Sequence, residues 1–279
     1  MLGLDAARIA TAFLIPASAM GQRLVRAKVK IRDAGIPFAV PEASELPVRL
    51  DSVLEAIYAA YGSGWDDVAG ADERCSNLTR EAIWLGRAIQ SLLPEEPEVR
   101  GLLALMLYCE ARRPARRTVT GDYVPLSEQD VSLWSRGMLH EAETILRAAA
   151  TAKRPGRFQL EASLQSAHIG HRLIGEPDNA IIAQLHEALW RLAPRIGLAV
   201  ARAVAWADSR GPEAGLALLD EIEPARVAAY QPYHAARAEL LARSGQIDAA
   251  RAHYATAIRL ANDPAARRYL ELRSNHLLS

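Results

Sequence analysis

Five cations fall within ten residues near the start of the chain: Arg23, Arg26, Lys28, Lys30 and Arg32. Guanidinium and ammonium groups at this density suit the phosphate oxygens of a nucleic-acid backbone. Ser18 and Gln22 stand just ahead of them. A glutamine side chain can pair with the major-groove edge of adenine, and an arginine with that of guanine. Ser18, Gln22 and Arg23 are therefore candidates for base contact, and Arg26, Lys28 and Lys30 for contact with phosphates. The competing reading is an amphipathic helix whose cations only face water. Charge alone leaves the two readings equal.

A second cluster joins Arg112, Arg113, Arg116 and Arg117 to Gly121-Asp122. These arginines could bind an acidic partner, or pair locally with aspartate in a closed loop. Gln129, Asp130 and Trp134 follow and are candidates to lock that loop onto the body by hydrogen bonds and ring packing. His168 and His171 share a helix face, but no third ligand or HExxH pattern accompanies them. They read as a core or surface pair. Glu95, Glu96 and Glu98 suit a helix N-terminus better than acid chemistry. No serine has a nucleophile-elbow context, and no glycine-rich phosphate loop occurs. The residues thus predict no enzyme, no cofactor and no metal site.

The elements that must position these groups are helical. Half of the chain is apolar, aromatics are few, and alanine and leucine dominate. Formal charge is zero. Residues 1–34 hold six cations against Asp5 and Asp33, so that segment is net +4 and the remainder net −4. A DNA contact would then be local rather than spread over a basic surface. The two cysteines, Cys75 and Cys109, lack CxxC spacing and are expected to be unpaired thiols in a reducing cytoplasm. No signal segment or membrane-length apolar run appears.

Asp5 is placed to cap a helix running to about Phe13, which Pro16 breaks. A second helix runs to about Asp33, with Met20, Leu24, Ala27 and Ile31 on its apolar stripe. Two helices joined by a short break, the second one basic, form a helix-turn-helix pattern. Residues 36–50 carry Pro37, Pro41 and Pro47 and read as a semi-rigid connector. Further helices are expected at about 49–61, 77–92, 96–111, 127–151, 157–174, 178–192, 196–209, 212–221, 231–243, 247–260 and 264–276. Gly211 and Gly245 are thirty-four residues apart, and Gly175 precedes Gly211 by thirty-six. With Leu241, Ala250, Tyr254 and Ala257, this spacing fits tetratricopeptide-like repeats. The expected fold is all-α: a partial helix-turn-helix at 1–35, the connector at 36–50, a helical domain at 51–155 and helical repeats at 156–279.

The opening resembles the end of region 4 of extracytoplasmic-function RNA polymerase sigma factors, in the group with a C-terminal tetratricopeptide-like extension. Pro16, Met20, Gln22 through Lys28, Lys30-Ile31, Ala34 through Phe38 and Val40-Pro41 carry the likeness. Glu81-Ala82-Ile83, Glu96 through Val99, Gly101 through Leu107, Ala111 through Arg116, Gln129-Asp130 and Trp134 extend it into the body. The resemblance implies core RNA polymerase and promoter DNA as partners, with the helix from Pro16 to Asp33 reading the −35 element. It also implies that region 2 and the first helices of region 4 lie outside this chain, so the chain alone is not expected to initiate transcription. Region 2 of the same protein is a further partner for the extension. Two departures stand out. Ala59 through Trp65 replaces the family's Asn-Glu-Gly-Tyr type stretch, and Val131 stands where the family has arginine.

Overall fold

The computed structural model describes residues 6, 10, 16–35, 45–65, 73–175 and 178–278. The fold is all-α, with extensive packing between helices. Ala6 and Ala10 are helical, but the rest of the expected helix from Asp5 to Phe13 lies outside the described residues, as do residues 36–44 of the connector. The chain divides into two compact units, Met1–Pro94 and Glu95–Ser279.

The first unit contains α1 (Ala17–Asp33), α2 (Leu46–Trp65) and α3 (Glu73–Leu92). Pro47 falls in the first turn of α2, where its missing N–H costs no helical hydrogen bond. The helix therefore starts inside the expected connector. Leu54, Ile57 and Tyr61 recur at spacings of three and four and are all buried. α2 packs on α3, which buries Thr79, Ala82 and Gly86.

The second unit is built on α4 (Pro97–Ala111). Pro97 opens this helix, and every residue from Gly101 to Tyr108 is buried. A helix apolar on all sides needs cover on more than one face. That cover comes from α5 (Arg136–Ala150) and α6 (Arg157–Ile174). The Tyr108 hydroxyl donates to Glu143 on α5 at 2.5 Å, and Ser166 on α6 donates to the same carboxylate oxygen at 3.0 Å.

A single helix over 127–151 does not form. Residues 126–128 and 131–133 are separate 3-10 turns, and α5 begins only at Arg136. The reason is local competition for backbone amides. Asp130 accepts from the Ser132 N–H at 2.8 Å, and Ser135 accepts from the Met138 N–H at 3.4 Å. Each side chain starts its own turn. The Ser135 amide donates instead to the Ala111 carbonyl at the end of α4, at 2.9 Å.

From residue 157 the helices follow the expected boundaries closely. α7 (Asn179–Leu192), α8 (Ile196–Arg210) and α9 (Pro212–Asp220) lead to a short α10 (Pro224–Val227). α11 (Gln231–Arg243), α12 (Ile247–Leu260) and α13 (Pro264–Asn275) complete the series. Each long helix packs on its neighbour in sequence, and α11 also packs on α8 and α9. The regularly spaced Gly175, Gly211 and Gly245 have φ of 92°, 97° and 79°, in the left-handed region that a Cβ disfavours. They let one helix end and the next begin within a few residues. Small side chains permit close approach: Ala203, Ala238, Ala250 and Ala257 are fully buried, with Tyr254 filling the space near Ala238 and Ala257.

Candidate nucleic-acid interface

α1 begins after Pro16, whose carbonyl accepts from the Met20 N–H at 3.1 Å. Among the described residues no side chain caps this N-terminus, and its first turn holds no acid. The leading N–H groups are therefore available to an anion at the positive end of the helix dipole. Met20 is buried and Leu24 half-buried, so the leading half of the stripe is covered. Ala27 and Ile31, its trailing half, are exposed, Ile31 by 55%.

All six residues expected to meet DNA lie on this one helix and are exposed. Ser18, Gln22, Arg26 and Lys30 are four residues apart and line up along one side. Arg23 sits beside that row, while Lys28 projects from a different part of the surface. Among the described residues, Arg23, Arg26, Lys28 and Lys30 form no ion pair. Arg32 does approach Asp33, at 3.6 Å. Val25 and Val29 complete the surface, and with Arg26, Lys30, Asp33 and Ala34 they line a shallow hollow. The arrangement offers cations, a leading glutamine and apolar groups together. These are the means by which a helix contacts phosphates, base edges and thymine methyls.

The second cluster has a different geometry. Arg112 is buried and donates to Gln165 on α6 at 2.5 Å. Arg113 donates to both carboxylate oxygens of Glu110, at 3.0 and 2.8 Å. The Arg116 carbonyl accepts from the Val124 N–H at 2.9 Å, closing a small hairpin around Gly121. Arg117 reaches Asp263 at 2.6 Å and Arg268 reaches Asp122 at 2.7 Å. Tyr123 meets Tyr269 edge-on, with ring centroids 5.5 Å apart. The hairpin is thus clasped to α13, far along the chain. Gln129 is buried, with its side-chain amide donating to the Val124 carbonyl at 3.3 Å and its backbone carbonyl accepting from Arg172 at 3.0 Å. Trp134 is buried as well, while Asp130 spends its carboxylate on the Ser132 turn. Arg112, Arg113 and Arg117 are thereby engaged within the chain.

Nothing in the spacing of His168 and His171 marks them as more than a core or surface pair, yet both line a cleft together with Arg172. Among the described residues, no group of three His, Cys, Asp or Glu side chains is placed to hold a metal ion. No helix there is long and apolar enough to cross a membrane.

Residues 49–150 match a family of unknown function, DUF6596. An uncharacterized protein of Rhizobium meliloti (strain 1021) is 37% identical over 275 residues, covering 99% of this chain. The chain spans 65% of that relative's length. No solved structure matches the chain.

Proposed function

We propose that the chain is part of a sigma factor-like transcription initiation protein. In this reading α1 recognises the promoter −35 element, and the helices that follow regulate the protein or contact core RNA polymerase. The observation that carries it is the surface of α1, where Gln22, Arg23, Arg26 and Lys30 are exposed together and no carboxylate among the described residues neutralises them. A structural helix that used these cations for stability would pair them with acids one turn away. Arg112, Arg113 and Arg117, by contrast, are engaged within the chain. The resemblance to region 4 over Pro16–Lys30 and the helical body behind it favour the same reading.

Footprinting on a duplex bearing a −35 element, with the longer initiating protein, tests this. Arg23→Ala with Arg26→Ala should weaken protection of the element about tenfold or more, and Gln22→Ala should relax the preference for adenine at one position. Unchanged protection with the double substitution would contradict the assignment of the helix.

The second reading is a protein-interaction scaffold of tetratricopeptide-like repeats without DNA binding of its own. It is favoured by the three left-handed glycines at regular spacing and by the buried small residues between α11 and α12. Capture of core RNA polymerase by the chain, tested with DNA absent, separates a polymerase-contacting extension from a scaffold for other proteins.

A further inference from the structure

The 3-10 turn at 126–128 and the facing sides of α6, α7 and α8 enclose a cleft of about 310 Å³. This size is at the lower end for small-molecule sites. Ile182 and Ala205 give it apolar walls, continuous with the core that holds Leu164, Ala183 and Leu189. His168, His171 and Arg172 line it from α6. One carboxylate, Asp208, is present in the lining, and it is already held by Arg243 at 2.7 Å. The Asp208 carbonyl in turn accepts from Asn179 at 3.0 Å.

Two side-chain nitrogens of the lining residues have no hydrogen-bond partner among the described residues. The Arg172 guanidinium is fixed by its bond to the Gln129 carbonyl, but its Nε is buried and has no hydrogen-bond partner among the described residues. His171 Nδ1 is buried and equally without one. Unsatisfied buried polar groups are costly unless a ligand or water completes them. The surroundings are also short of negative charge. Burial, the Arg112 guanidinium and His171 hold His168 below its usual titration range, against an opposing pull from Asp208. From α7, burial and then His168 bring His186 down to about 4.

We propose that this cleft binds a small carboxylate, with Arg172 and His171 as donors to the anion and Ile182 and Ala205 receiving its carbon chain. The planar fork of an arginine matches a carboxylate in two parallel hydrogen bonds. The apolar walls suit an anion attached to carbon better than inorganic phosphate. Two sources would present the same group: a free organic acid, or an acidic side chain of a partner protein. The groups facing His168 are Arg112, His171, Arg172, His186 and Asp208, the last screened by Arg243. A bound anion adds the missing negative charge, so occupancy raises the His168 titration midpoint, and affinity falls as pH rises through that range.

Imidazole NMR of the chain during titration with sodium succinate tests the site. The expected result is a saturable shift of the His168 and His171 resonances, stronger at lower pH. Arg172→Met and His171→Gln should each weaken binding about tenfold, and the second variant serves if the first fails to fold. A pentapeptide with blocked ends and a central glutamate forms the other arm. Tighter binding of the peptide assigns the carboxylate to a protein partner, and tighter binding of succinate to a free acid. No saturable shift with either probe would overturn the proposal. So would binding that both substitutions leave unchanged, or inorganic phosphate binding more tightly than succinate.

Discussion

Glu98 lies in the first turn of α4, yet its carboxylate serves a different helix. One oxygen accepts from the Phe158 N–H at 2.8 Å, and the other from the Gln159 N–H and side-chain amide, both at 3.1 Å. It thereby caps the N-terminus of α6, sixty residues away. Gly156 precedes that helix because a Cβ there would collide with the Glu98 carboxylate. Glu98→Ala should cost about 1–2 kcal/mol, as loss of a helix cap does, measurable by urea unfolding. A cost no greater than that of Glu95→Ala, an exposed neighbour, would contradict the capping role. From sequence, Glu98 reads as a charge at its own helix start, because a cap supplied across the fold leaves no local pattern. The α1 surface was far more legible. Gln22, Arg23, Arg26 and Lys30 need only helical periodicity to share one flank, and their exposure follows from their chemistry. The cleft at His168 and His171 was not legible, since Arg172, Ile182 and Ala205 meet there only through the packing of three helices.

The helices themselves could be read wherever glycine or proline set both ends. α6 to α9, α11 and α12 are of this kind. The segment before α5 was not, because Asp130 and Ser135 compete for amides within an otherwise helix-forming run. Packing between elements adds constraints that periodicity does not express. At Gly215 on α9, a Cβ would stand 2.6 Å from the Ala203 carbonyl oxygen on α8 and 2.7 Å from both Ala207 Cβ and Leu240 Cδ1. Helix propensity would favour Gly215→Ala by about 1 kcal/mol. Overpacking costs about 1–3 kcal/mol, and here the obstacle includes backbone, which moves less readily than a side-chain tip. Gly215→Ala is therefore expected to lower the melting temperature, and Gly215→Val to lower it further. A rise with alanine would show that α8 and α9 can separate without loss. Gly137, at the start of α5, meets nothing within 4 Å and provides the control.

Across the molecule, many charges of the second unit are held in internal pairs, while most of those on α1 face outward. Glu239 shows the first pattern. Both its oxygens accept from Arg273 at 2.7 Å, and one also accepts from Tyr254 at 2.8 Å. Burial opposes the carboxylate charge, but these bonds prevail and hold Glu239 below its usual titration range. A depressed pKa adds stability above the unfolded-state value, and that stability is lost as pH falls through the folded-state value. Glu239→Gln should thus melt earlier at neutral pH, by about 1 kcal/mol or less given solvent screening of a side chain 36% exposed. The difference should close at acid pH. A gap of constant size from neutral to acid would mean that the charge contributes nothing.

The outward charges of α1 carry the central claim, that this helix meets DNA. Fluorescence anisotropy of the longer initiating protein with a labelled duplex bearing a −35 element, repeated over a range of salt concentrations, tests it directly. Binding should weaken steeply with salt. Replacing Arg23, Arg26, Lys28 and Lys30 with alanine should flatten the slope of log affinity against log salt by about 0.9 for each phosphate contact removed. An affinity and a salt slope that survive the fourfold substitution, or no binding even at low salt, would contradict the account.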